Sequence, residues 1–160
     1  MNKHFRRTLS MVPGFVALGA CGSATGPGGE CEVSGGLEIC VDRGEYAPGN
    51  TVRLTLTNRA GAVTYVDTCA TVFVERTTRA VFGSTYNPER RCGADPAQSE
   101  IVANMHTLEP GQATTESLRV TPGIPQGFYR IDYWILDSAG DLQSEDPVSS
   151  SEFDVFPSAG

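Results

Sequence analysis

Apolar and polar residues alternate with a period of two along much of this chain. In residues 51–57 (TVRLTLT), Val52, Leu54 and Leu56 fall on one side, with threonine and arginine on the other. That is the pattern of a half-buried β-strand. Turn chemistry brackets it, with Ala47-Pro48-Gly49-Asn50 before and Asn58 to Gly61 after. Residues 62–67 (AVTYVD), 70–77 (ATVFVERT) and 114–121 (TTESLRVT) are rich in β-branched and aromatic side chains. Residues 37–42 (LEICVD) open the series and 152–156 (EFDVF) close it. The strongest strand is predicted over 128–136 (FYRIDYWIL). There Tyr129, Ile131, Tyr133 and Ile135 form the face assigned to the core, while Phe128, Trp134 and Leu136 share the other with Arg130 and Asp132. This puts Trp134 on an outer face or beneath a loop. No window carries a helical period; residues 99–108 are the least clear and have room for a short helical turn. About seven or eight strands with regular turns predict an all-β, antiparallel two-sheet sandwich around one core.

The first 20 residues follow another rule. Lys3, Arg6 and Arg7 precede a mostly apolar stretch, residues 8–20, that contains Pro13-Gly14. As a helix it would span about 20 Å against a hydrocarbon core of roughly 30 Å. It therefore reads as a secretory signal rather than a membrane span. It ends in Leu18-Gly19-Ala20-Cys21, which resembles the lipobox of bacterial lipoproteins. The resemblance implies a diacylglycerol on the Cys21 sulfur, cleavage before Cys21, and a fatty acid such as palmitate on the new amine. Two or more acyl chains anchor a protein stably, whereas one does not. The alternative is an ordinary secreted protein with a fortuitous Cys21. The implied location is the cell envelope, on a membrane; Gly22 in place of Asp leans toward the outer membrane if the organism has two. Residues 22–29 (GSATGPGG) carry no large apolar side chain. They read as a flexible tether about 15 Å long. The expected organisation is a signal peptide (1–20), a lipidated cysteine with its tether (21–30) and a folded domain (31–157).

With Cys21 assigned to lipid, Cys31, Cys40, Cys69 and Cys92 remain, an even set suited to an oxidising compartment. Three pairings are open. The sequential one, Cys31–Cys40 and Cys69–Cys92, is expected, because Cys69 and Cys92 flank a predicted hairpin at Thr77 to Arg79. A metal site is not expected, since there is no C-x-x-C and the only histidine beyond residue 20 is His106.

The formal charge is −7; without residues 1–20 it falls to −10, nine arginines against nineteen acids. That balance argues against nucleic acid as a partner. Catalytic signatures are also missing. There is no G-x-S-x-G, no phosphate-binding glycine loop and no cysteine left over as a nucleophile. No enzyme and no cofactor is expected, and a hydrolase working through paired carboxylates is the least favoured reading. Asp137, Asp141, Glu145 and Asp146 form an acidic cluster, but their spacing is not that of a calcium loop and they read as turn formers. Trp134 and the pair Arg90-Arg91 are the candidate binding residues.

Four short stretches carry a further resemblance: LTLTN (54–58), Pro110-Gly111, GFYRI (127–131) and SSEFDV (150–155). They resemble the strand motifs of bacterial immunoglobulin-like domains, including the BsuPI-type proteinase inhibitors. The resemblance implies an immunoglobulin-like sandwich in which Tyr129 bonds back to the corner before its strand. The expected function is that of a membrane-anchored, extracytoplasmic lipoprotein. Its non-catalytic domain would serve as a binding or structural module for an envelope protein or polymer. The alternative is a BsuPI-like inhibitor, with residues 77–92 as its loop.

Overall fold

The computed structural model describes residues 29–78, 81–88 and 92–156. Cys21, Arg90, Arg91 and the predicted signal lie outside them. In chain order the strands are β1 (Cys31–Ser34), β2 (Leu37–Val41), β3 (Glu45–Tyr46), β4 (Thr51–Asn58), β5 (Thr64–Val66), β6 (Val72–Thr78) and β7 (Val81–Tyr86). A single short helix among the described residues, α1 (Gln98–Asn104), follows. Then come β8 (His106–Leu108), β9 (Ala113–Arg119), β10 (Gly127–Tyr133), β11 (Ile135–Leu136), β12 (Val148–Ser149) and β13 (Phe153–Val155).

One sheet has the order β1-β2-β4-β9 and the other β3-β13-β10-β6-β7, with β12 beside β10. All pairings are antiparallel except β3 with β13. Taking β2, β4, β6, β7, β9, β10 and β13 in chain order, the first, second and fifth lie in one sheet and the third, fourth, sixth and seventh in the other. That division is the immunoglobulin-like sandwich. A small third sheet, β11-β5-β8, covers one end.

The period of two decides what is buried. Leu37, Ile39, Val52, Leu54 and Leu56 on one sheet meet Phe73, Tyr129, Ile131 and Tyr133 on the other, all at 0% exposure. Full burial of one such side chain stabilises by about 1.5–3 kcal/mol relative to exposure. The parity assigned to the strongest strand holds through Tyr133 and then fails. Ile135, assigned to the core, is half-buried, whereas Leu136 is buried. The chain leaves the large sheet at Trp134 and pairs with β5 as β11, so one alternation cannot run through both halves. Residues 77–92, the loop of the alternative inhibitor reading, contain β7, which pairs back onto β6 through two register shifts, as the hairpin expected at Thr77 to Arg79 requires.

Two polar anchors explain motifs in the sequence. The Tyr129 hydroxyl donates to the Pro125 carbonyl at 2.8 Å, closing the corner before β10. Asn58, fully buried at the end of β4, donates through Nδ2 to the carbonyls of Ala62 and Leu108, each at 2.8 Å. Its Oδ1 accepts from the Ala60 amide at 2.8 Å. Both expected disulfides are present. Cys31–Cys40 joins direct cross-strand partners, and Cys69–Cys92 joins the segments before β6 and before α1.

Candidate functional site at the loop end

Strand register sorts the loops into two ends. Ser34↔Leu37, Thr57↔Ala113 and Tyr133↔Val148 mark one end. Val41↔Leu54, Thr51↔Arg119 and Gly127↔Val155 mark the other. The chain joins the sandwich at the second end, where the Glu30 carbonyl accepts from the Val41 amide at 3.1 Å. The first end gathers residues 59–63, 67–71, 92–97, 109–112 and 137–147, together with α1.

This loop end is braced. Cys69 and Cys92, at 8% and 7% exposure, tie residues 67–71 to the lead-in to α1. Asp67 accepts from the amides of Cys69 at 2.7 Å and Ala70 at 3.2 Å. Thr68 Oγ1 donates to the Asn104 carbonyl at 2.6 Å. Gln98 Nε2 donates to the Ala139 carbonyl at 2.8 Å, docking α1 on the hairpin tip. Gly140 makes that docking possible. Its φ is +88°, and a Cβ there would lie 2.7 Å from Gln98 Nε2.

The acidic cluster acts as turn chemistry at this tip. Asp137 Oδ1 accepts from the amides of Ala139 at 2.8 Å and Asp141 at 3.0 Å. Among the described residues, no three His, Cys, Asp or Glu side chains are grouped so as to hold a metal ion. Trp134 is half-buried at the crossover between sheets, with its carbonyl accepting from the Asp67 amide at 2.9 Å. More exposed than Trp134 are Phe156, at 46%, and, near the opposite end, Phe128, at 44%. The Arg76 guanidinium lies 4.4 Å over its ring and is held by Glu152 at 2.6 Å.

One polar cluster escaped the expectations. Glu116 is 1% exposed and points into the core from β9. It accepts the Tyr133 hydroxyl at 2.5 Å, and His106 Nε2 lies 3.9 Å from its other oxygen. Parity was the available signal, because Glu116 is in phase with buried Leu118 and Val120. Its enclosure keeps it from meeting a substrate. Two surface concavities are shallow. One of about 280 Å³ is bordered by Glu32, Ser34 and Arg130, and one of about 250 Å³ by Phe128, Glu152 and Asp154. Ligand pockets typically occupy about 300–1,000 Å³. Burial, with Glu45 nearby, holds the Asp154 carboxyl above its usual range.

Two tyrosines carry a pH dependence. Burial raises the Tyr46 phenol well above its ordinary value, as does its bond to Asp42 Oδ1 at 2.5 Å. Burial, and then Glu75, does the same for Tyr129. The folded state thus favours the neutral phenols. Their contribution to stability is complete below the unfolded value of about 10 and is lost as pH rises beyond it. In an ultraviolet titration, Tyr46 and Tyr129 are expected to ionise only as the fold is lost. Ionisation of Tyr46 and Tyr129 near the ordinary value, with the fold intact, would contradict this.

No family model matches the chain, and no curated protein matches it. Among solved structures it is similar to the PapD-like domain 7 of human CEP192, at 14% identity over 96% of this chain and 94% of that one, with a TM-score of 0.31. It is similar also to AvmM, which catalyses macrocyclization in alchivemycin A biosynthesis, at 14% identity over 83% of this chain and 98% of that one (TM-score 0.32). A third is the Pseudomonas fluorescens alkylpurine DNA glycosylase AlkC, bound to DNA containing an abasic site analog. There the identity is 12% over 78% of this chain and the TM-score 0.38; the match spans only 31% of the glycosylase. Strand order and register, rather than these likenesses, define the fold as an immunoglobulin-like β-sandwich.

Proposed function

We propose that this protein is a lipoprotein of the cell envelope, held to a membrane through lipid on Cys21. Its sandwich is a non-catalytic module that presents the loop end to an envelope protein or polymer. The observation that carries the reading is the position of Glu30. The chain meets the sandwich at the end opposite α1, residues 109–112 and residues 137–147. A membrane anchor upstream of Glu30 would therefore leave the braced loops pointing outward. The two disulfides fit the same picture, because such bonds persist outside the reducing cytosol. The acidic balance adds to it, since a domain repelled by anionic lipid stands off its membrane.

The test is mass spectrometry of the protein purified from its native envelope, paired with fractionation of Cys21→Ser. An acylated Cys21 at the new N-terminus, and release of the variant from the membrane fraction, are expected. Retention of Met1, an unmodified Cys21, or a variant that stays with the membrane would overturn the proposal.

A further inference from the structure

We infer that the Cys31–Cys40 disulfide is a mechanical clamp that passes tension from residues 21–30 directly into β2 and so keeps β1 from peeling away. The inference rests on the anchored reading above, because an anchor is what would load the chain at this point.

Three features hold the chain where it joins the sandwich. Gly29 lies so close to β2 that a Cβ would fall 2.0 Å from the Val41 carbonyl oxygen. The Glu30 carbonyl accepts from the Val41 amide at 3.1 Å and from Ser151 Oγ at 2.9 Å. Cys31, the first residue of β1, is bonded to its register partner Cys40.

β1 is a poor element to pull on. It is the outermost strand of its sheet, and Cys31, Glu32 and Val33 are exposed, Val33 at 55%. It turns back through Gly35-Gly36 into β2, so Cys31 stands at the open end of a hairpin. Force applied there opens an antiparallel ladder one pair at a time, the weakest way to load it. The covalent path from Cys31 to Cys40 bypasses residues 32–39. Tension then reaches β2, which is paired on both sides and buries Leu37, Ile39 and Val41. Moving β2 requires breaking the core as a unit. A bridge placed further up the hairpin would leave the pairs below it open to peeling; this one lies at the base. The other disulfide, buried at the loop end, takes no part in this path.

The test is an optical-trap measurement on the full chain, produced without export so that Cys21 is a free thiol. One handle is attached there and the other at a C-terminal tag. The oxidised protein should show no step before cooperative unfolding. Cys31→Ser/Cys40→Ser should add an earlier, reversible, low-force step that releases residues 31–36, about 2 nm of chain. Equal traces for the two proteins, or an early step in the oxidised one, would overturn the inference. If the double variant does not fold, wild type in mild reductant replaces it, with alkylation and mass analysis confirming that Cys31 and Cys40 are open and Cys69–Cys92 intact. Cys21 serves only as an attachment point here, so this result and the lipidation result are read independently.

Discussion

Tyr133→Phe is expected to lower stability by about 2 kcal/mol, although it removes one oxygen atom from a residue with no exposed surface. That hydroxyl reaches the Glu116 carboxyl at 2.5 Å, between the two sheets. Phenylalanine removes one donor from a buried carboxyl, and water in a packed core does not replace the missing bond. Glu116→Leu combined with Tyr133→Phe should recover part of the loss, because the apolar pair removes both the buried carboxyl and its hydroxyl donor, while His106 loses the carboxylate 3.9 Å from its Nε2. Urea unfolding of the two single variants and the double variant, with unchanged m-values, measures the coupling. Additive losses, or a Tyr133→Phe protein within about 0.5 kcal/mol of wild type, would show that the pair does not matter.

Opening the buried disulfide should cost more. Cys69 and Cys92 are 23 residues apart in sequence. Releasing a loop of that length from the unfolded chain is worth roughly 3 kcal/mol in the chain-entropy picture. Cys69→Ala/Cys92→Ala is expected to lose about that much in denaturant unfolding. The loss should have a location as well as a size. Amides in residues 67–71 and 92–97 should exchange faster, while those of β4 and β10 keep their protection relative to the global unfolding limit. A variant that keeps full stability, or one whose exchange quickens evenly over the whole sandwich, would contradict the bracing role.

What was readable in the chain, and what was not, follows from range. Val52, Leu54 and Leu56 declare a buried face because a strand's parity is set by its own backbone. The burial of Tyr129 was legible for the same reason, and its corner bond through the resemblance to immunoglobulin-like domains, with the acceptor four residues away. The Cys69–Cys92 pair was legible through the hairpin predicted between its two residues. β1 and β3 were not, as each is short and held by its neighbours more than by its pattern. α1 was legible only as room for a turn, since its seven residues bury none of their number.

Read alone, the chain fixes the all-β class, the core parity of the long strands and the chemistry of the turns. Each of these rests on neighbours a few residues apart. The tertiary structure decided the rest: that the strand breaks at Trp134 and changes sheets, that Glu116 meets Tyr133, and that the chain joins the sandwich opposite its braced loops. Those outcomes depend on which strands pair across long stretches of chain, and pairing is settled by packing the two sheets together rather than by any local pattern.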